Sequence, residues 1–284
     1  MSNLVRYARL TVFSGDGQQM FESEEGQRIQ FEMTKDVKSA PNSLVVRVYG
    51  TPPEEAQAAL TRGYALLLEA GTSANHGTLF TGHLIDGFHV NGDRPYMQLT
   101  ALDGDDFYHG FVSASVGGGE SLAGIAALCA SRCASPVDVG RISADAGQIR
   151  LTRGCVLFGQ AADILDPLAK QINGTWFVND GRLYLLTESD MSFGALLNMD
   201  EDDDLVGVPI TDAWSVTFGH HIDSRIALCA AVVFNRPEAF GVFRVVSVSA
   251  LGDTHDGDWK MTVCALRQDA GSPAMSALTR NIWR

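Results

Sequence analysis

The sequence predicts a mainly β protein of α+β type, in which two small β-barrels, residues 1–104 and 193–284, flank a small α+β middle domain, residues 105–192. Three observations predict it. Apolar and polar residues alternate with a period of two over most of both ends of the chain, the mark of half-buried strands. Helical spacing of apolar residues is concentrated between Glu120 and Ile172. Gly, Asn, Asp and Pro interrupt these patterns at short intervals, as turns between short strands require.

Taken in order, Tyr7 to Phe13 reads as a first strand and Ser14 to Gly26 as a loop. Ile29 to Gly50 reads as a hairpin. Ile29, Phe31 and Met33 share one face of its first strand, and Gln30, Glu32 and Thr34 share the other. After the turn residues Lys35–Asp36 and Pro41–Ser43, Leu44, Val46 and Val48 alternate with Val45, Arg47 and Tyr49. Thr51-Pro52-Pro53-Glu54-Glu55 opens a helix running to Leu60, with Thr51 as its cap, prolines in the first turn and acids at the positive end of the dipole. Tyr64–Glu69, Leu79–Val90 (broken at Gly82 and Gly87) and Tyr96–Leu102 read as strands. Gly71–Gly77 is the intervening loop and Asn91-Gly92 a turn. Met97, Leu99 and Ala101 share a face.

In the middle, Gly117-Gly118-Gly119 precedes a helix from Glu120 to Arg132 carrying Leu122, Ile125, Ala126 and Cys129 at helical spacing. Ile149–Leu151 reads as a short strand. A second helix is expected from Phe158, with Ala161, Ile164, Leu165, Leu168 and Ile172 along one stripe and a kink or break at Pro167. Asn179-Asp180-Gly181 between Thr175–Val178 and Arg182–Leu186 is the strongest hairpin signal in the chain. Beyond the acidic run Asp200 to Asp204, Trp214–Phe218, Ile226–Phe234, Gly241–Ser249 and Trp259–Leu266 read as strands. Phe243 with Val245, and Trp259 with Met261, Val263 and Ala265, mark their inner faces.

Composition narrows the function classes. A chain of 284 residues with 45% hydrophobic and 19% charged residues is a folded protein. A net charge of −13, with 21 basic residues scattered singly, counts against a role that grips phosphates, though not against a passage through which nucleic acid slides. The five cysteines read as reduced, buried small hydrophobes of an intracellularly made protein. MSNLVRYARLTVF has no signal-peptide core. The longest apolar run, Ile226–Phe234, is far short of a membrane span, so a soluble protein without a membrane anchor is expected.

FEMTKDVKSAPNSLVVRVYG followed by a helix and GTLFTGHLIDG resembles the N-terminal part of phage tail baseplate hub proteins. GVFRVVSVSALGDTHDGDWKMTVCAL resembles the closing hairpin of the same family, and LTRGCVLFGQAADILDPLAKQINGTWFVNDGRLYLL matches its middle domain in pattern. The resemblance covers roughly residues 5 to 270. It implies a non-enzymatic virion protein of two tail-tube-like barrels. Its expected state is a homotrimer in the tail baseplate, assembled in the host cytoplasm. The partners implied are a tail tube or distal tail protein above, a spike below and the tape-measure protein, with DNA passing through unbound. No cofactor is implied. A distal tail or tube adaptor, and a baseplate-associated cell-wall hydrolase, are the competing readings.

The motifs that carry chemistry elsewhere read blandly here, and the sequence marks no catalytic, cofactor or metal residue. Gly117–Gly119 lacks the Gly-Lys-Ser/Thr of a phosphate loop, and Glu120 would repel an anion, so it reads as a domain junction. Asp200, Asp202 and Asp204 mimic the start of a calcium loop, but Leu205 and Thr211 stand where glycine and glutamate are needed. Cys129 and Cys133 share a helix face without further ligands; His109, the nearest histidine, has no partner. His220-His221 read as surface or turn residues, Glu54 and Glu55 as a helix start. Leu44–Tyr49 and Ile226–Phe234, apolar on both faces, are the expected subunit contacts.

Overall fold

The computed structural model describes residues 5–15, 17–187, 190, 196–200 and 204–268. The fold is mainly β. In chain order the elements are β1 (Arg6–Ser14), β2 (Gly17–Glu22), β3 (Ile29–Asp36), β4 (Asn42–Tyr49), α1 (Pro53–Arg62), β5 (Gly63–Thr72), β6 (His76–Val90) and β7 (Tyr96–Asp103). Next come α2 (Asp105–Tyr108), β8 (Phe111–Val116), α3 (Leu122–Arg132), β9 (Asp138–Ile142), α4 (Ala144–Gln148), β10 (Cys155–Gln160), α5 (Ala161–Gln171), β11 (Gly174–Asn179) and β12 (Arg182–Thr187). The chain closes with β13 (Leu197–Asn198), β14 (Leu205–Thr211), β15 (Ser215–His220), β16 (Ala231–Arg236), β17 (Ala239–Asp253) and β18 (Trp259–Arg267). Two compact units result. The described residues of Met1–Asp36, Asn42–Leu102 and Phe193–Arg267 form one; those of Val37–Pro41, Asp103–Ser192 and Gln268–Arg284 form the other.

In the first unit, thirteen strands form one sheet among the described residues, in the order β14-β15-β18-β17-β3-β4-β7-β6-β5-β1-β2, with β16 on β17 and β13 on β16. The strands from the two ends of the chain are therefore neighbours. β17 is the shared strand. Its first half pairs with β16, from Arg236↔Ala239 to Ala231↔Arg244. Its second half pairs with β3, from Ser247↔Asp36 to Asp253↔Gln30. The change of partner falls at a bulge against β18, where Val245 faces Ala265 and Ser247 faces Cys264, leaving Val246 extra. A bulge adds one residue and so reverses which side chains face inward. Phe243 and Val245 are buried before it, Val248 and Ala250 after it.

Burial follows the alternation in β3 and β4: Ile29, Phe31, Met33, Leu44, Val46 and Val48 are all in the core, as are Met97, Leu99 and Ala101 of β7 and Trp259, Met261, Val263 and Ala265 of β18. Several expectations are corrected. Ser14–Gly26 is not a loop, since β2 and a 3-10 turn at Ser23–Glu25 lie within it. β6 runs through Gly82 and Gly87 unbroken, each glycine leaving room for a neighbouring group. A Cβ on Gly82 would meet the Phe80 ring, and one on Gly87 the Leu60 methyl. Thr51 does not cap α1. Its hydroxyl donates back to the Val48 carbonyl at 3.2 Å, and Pro52 holds the N-cap position. Ile226–Ala230 precedes the strand rather than forming it, with Cys229 at φ 62°, so β16 begins at Ala231. That segment buries Ile226, Leu228 and Cys229 in its own fold, which removes it as a contact strand.

In the second unit, β8 pairs with β10, and β11 and β12 form a hairpin joined by β9, which lies parallel to β12. The core packs α3 and α5 with Phe107, Tyr108, Val112, Leu157 and Trp176. Ser121 caps α3, accepting the Gly124 N–H at 3.0 Å. α5 starts at Ala161 rather than Phe158, which belongs to β10, and continues past Pro167 as one helix. Ile149–Leu151 is not a strand; only Arg150 bridges, to Ser121. The hairpin turns on Asp180 (φ 51°) and Gly181 (φ 72°), both left-handed, as a two-residue turn with this twist requires.

Candidate assembly surfaces

Where β17 meets β3, the loop after β17 is tied down by one carboxylate. Asp253 receives both ends of the Arg28 guanidinium, at 3.1 and 2.6 Å, and the Gln30 amide at 2.6 Å. The His255 and Asp256 N–H groups donate to the same carboxylate at 3.1 and 3.4 Å. Arg6, from β1, donates to the Asp253 and Gly257 carbonyls. Thr254 closes the seam: its hydroxyl accepts the Ile29 N–H at 2.9 Å, while its own N–H donates to the Ile29 carbonyl. Burial pushes the Asp253 carboxyl up, but the donors from Arg28, Gln30, His255 and Asp256 outweigh it and hold it at about 2.

From this clamp a polar row crosses the sheet. Asp253 and Gln30 are cross-strand partners, as are Gln30 and Arg47, and Arg47 donates to Gln98 at 2.7 Å. Tyr49 donates to Gln30 at 2.5 Å and lies 5.0 Å under the Arg28 guanidinium. A shallow depression of about 280 Å³ lies along the row, lined by Gln30, Glu32, Val45, Arg47, Leu251 and Asp258 among others. In the second unit Asp103 does comparable work for the β11–β12 turn. Its carboxylate accepts the Asp180 N–H at 2.5 Å and the Gly181 N–H at 3.0 Å.

Two outward faces are apolar. β8 and β10 present Phe111, Val156 and Phe158 to solvent, with Phe111 and Phe158 edge to face at 4.7 Å. β14, at the end of the large sheet, presents Val206, Val208 and Ile210. Its register against β15 shifts between Val206 and Ile210, so Gly207-Val208-Pro209 bulges out. Thr211 donates to the Glu238 carbonyl at 2.7 Å, which ties this strand to the turn preceding the exposed Phe240. Neither face was marked in the sequence. Leu44–Tyr49, which was, turns Leu44, Val46 and Val48 inward and leaves Val45, Arg47 and Tyr49 outward.

The residues tested for chemistry are dispersed. Cys129 and Cys133 are buried in the second unit's core; burial, then the neighbouring Cys133, pushes the Cys129 thiol up to about 12. His109 lies 3.6 Å from Asp105 on the surface. His220 is fully buried, contrary to a surface reading, because Val216, Phe218 and His220 are the inward residues of β15. His221 approaches the Trp259 carbonyl at 3.0 Å. At the triple glycine, Glu120 accepts the Ser121 N–H, and Arg150 donates to the Gly119 carbonyl. Asp200 accepts from Arg236 at 3.2 Å; Asp202 lies outside the described residues. Glu54 and Glu55 are exposed in the first turn of α1. Among the described residues no three His, Cys, Asp or Glu side chains cluster as a metal site, and no helix is long and apolar enough to cross a membrane.

No protein-family model and no curated protein sequence matches the chain. Solved structures do. The 43 kDa tail protein of prophage MuSo2 from Shewanella oneidensis superposes with a TM-score of 0.62 at 10% identity, over 93% of this chain and 99% of that one. A tail protein from Neisseria meningitidis gives 0.59 at 10%, over 92% and 96%. A component of the Escherichia coli type VI secretion system, itself structurally similar to T4 bacteriophage tail proteins, gives 0.54 at 8%, over 86% and 73%. The chain therefore has the fold of phage tail proteins.

Proposed function

We propose that the chain is a structural protein of a phage tail, or of a related phage-derived particle, and within it the baseplate hub. The observation that carries this reading is β17, which pairs with β16 in one half and with β3 in the other. On this reading one protomer holds two barrel-like halves in a single sheet. Three protomers would offer six such halves, matching a sixfold tube above while keeping threefold symmetry for a spike below. The shared fold with tail proteins and with a type VI secretion component supports the same reading. The two halves, residues 1–104 and 193–284, would be the two tube-like barrels, with 105–192 as the α+β middle domain. The tape-measure protein would sit in the lumen, through which DNA passes, and an overall charge of −13 suits a surface that must not retain it.

Light scattering on the purified chain tests the proposal. The expected mass is three times 30.5 kDa, about 92 kDa, and electron microscopy should show a ring of six similar lobes. A hexamer would transfer the chain to the tube or distal tail adaptors. A zymogram on cell-wall material is expected to show no clearing; a lysis band would overturn the structural role.

A further inference from the structure

We propose that the protomers meet head to tail, the β8–β10 face of one copy packing on the β14 face of the next. This rests on the trimer proposed above and adds where its contacts lie. Two observations carry it.

Both faces are apolar, uncharged and exposed: Phe158 is 73% and Val156 69% exposed on one, Ile210 75% and Val208 70% on the other. No charged residue occurs in Phe111–Val116, Cys155–Gln160, Leu205–Thr211 or Ala239–Phe243. In a chain of charge −13 such zones are where two copies approach without like-charge repulsion.

The surroundings favour unlike faces meeting. Asp212 and Glu238 are exposed beside the β14 face, which would repel its own copy. Arg153 is exposed two residues before β10, though Asp163 stands beyond the strand's other end. Pro209 and the bulge at Gly207 deny β14 a regular row of backbone donors, so association proceeds by side-chain packing and not by open-ended strand addition. A heterologous contact closes into a ring when its rotation divides the circle evenly, and the trimer proposed above is such a closure.

The experiment uses two full-length variants, Phe158→Glu and Ile210→Glu, each with one face spoiled. Both side chains are exposed, so circular dichroism and melting should match the parent; Phe158→Leu and Ile210→Val serve if either fails to fold, and should remain trimers. Each Glu variant is expected to lose at least about thirtyfold in association and run as a monomer by light scattering. Mixed together they should form a dimer of about 61 kDa, twice 30.5 kDa, because one intact pair of faces remains. Trimeric Glu variants would overturn the inference and leave the hub reading standing. Monomers that do not pair on mixing would overturn it too, by showing that the two residues do not face one another. A parent that never trimerises would sink the hub reading and this inference with it.

Discussion

Replacing Asp253 by Asn removes one charge at the seam between β17 and β3. The side chain is only 8% exposed and pairs with Arg28, itself 32% exposed. The folded carboxyl sits at about 2, against an ordinary unfolded value near 3.9. A depressed folded value means stability that is present above the unfolded pKa and lost as pH falls towards the folded one. By linkage the carboxylate contributes about 2.5 kcal/mol at pH 7, about half of that at pH 3, and little below pH 2. The amide can still accept one hydrogen bond but leaves Arg28 without its counter-charge. Asp253→Asn should therefore cost about 2–3 kcal/mol at pH 7. The assay is urea unfolding of both proteins at pH 7 and pH 3, followed by Trp259 fluorescence, since Trp259 packs edge-on against Phe31 beside this loop. The gap between the two proteins should shrink by about half at the lower pH. An equal gap at both pH values would show that the loss comes from packing and refute the electrostatic account.

Other outcomes follow from the same contacts. Asp103→Asn leaves one of the Asp180 and Gly181 N–H groups without its acceptor, and should cost about 1–3 kcal/mol in the transition reported by Trp176 fluorescence. Gly252→Ala would drive a Cβ into the buried Phe31 ring, an overpacking cost of about 1–3 kcal/mol in a thermal melt; pairing it with Phe31→Leu should recover part of that. Of the five thiols, Cys155 is exposed while Cys129, Cys133 and Cys229 are buried. A thiol reagent should titrate Cys155 fast in the native protein and those three only on unfolding, and Cys155→Ser should abolish the fast phase without changing the melt.

Local pattern in the sequence located β3, β4, β7, β18 and the Asp180-Gly181 hairpin because each has one buried face and a defined turn. It could not show which strands are neighbours. Alternation says which side chains face inward, and β17 alternates equally well beside β16 or β3. β2 escaped notice because Phe21 is its one buried residue. β8 and β10 escaped because an apolar face turned to solvent breaks the expected alternation, which places Phe158 in a helix when read from sequence alone. The bulge at Val246 leaves no composition signal. The two exposed apolar faces were illegible for a related reason. Exposed Val208 and Ile210 look, in one dimension, like any inward-facing pair, and Ile226–Phe234 looks like a better candidate although it is buried.

The pairing of β3 with β17 also imposes a schedule. Arg28 and Asp253 are 225 positions apart. At typical ribosomal speeds of about 5–20 residues per second, β3 waits on the order of ten to forty seconds for its partner to be made. The stretch from Asp103 to Thr187 is contiguous and can finish folding during that interval. Through it, β3 is an unfinished sheet margin, open to wrong partners. Its solvent-side residues Gln30, Glu32 and Thr34 are polar, which keeps that margin soluble until the last strands leave the ribosome.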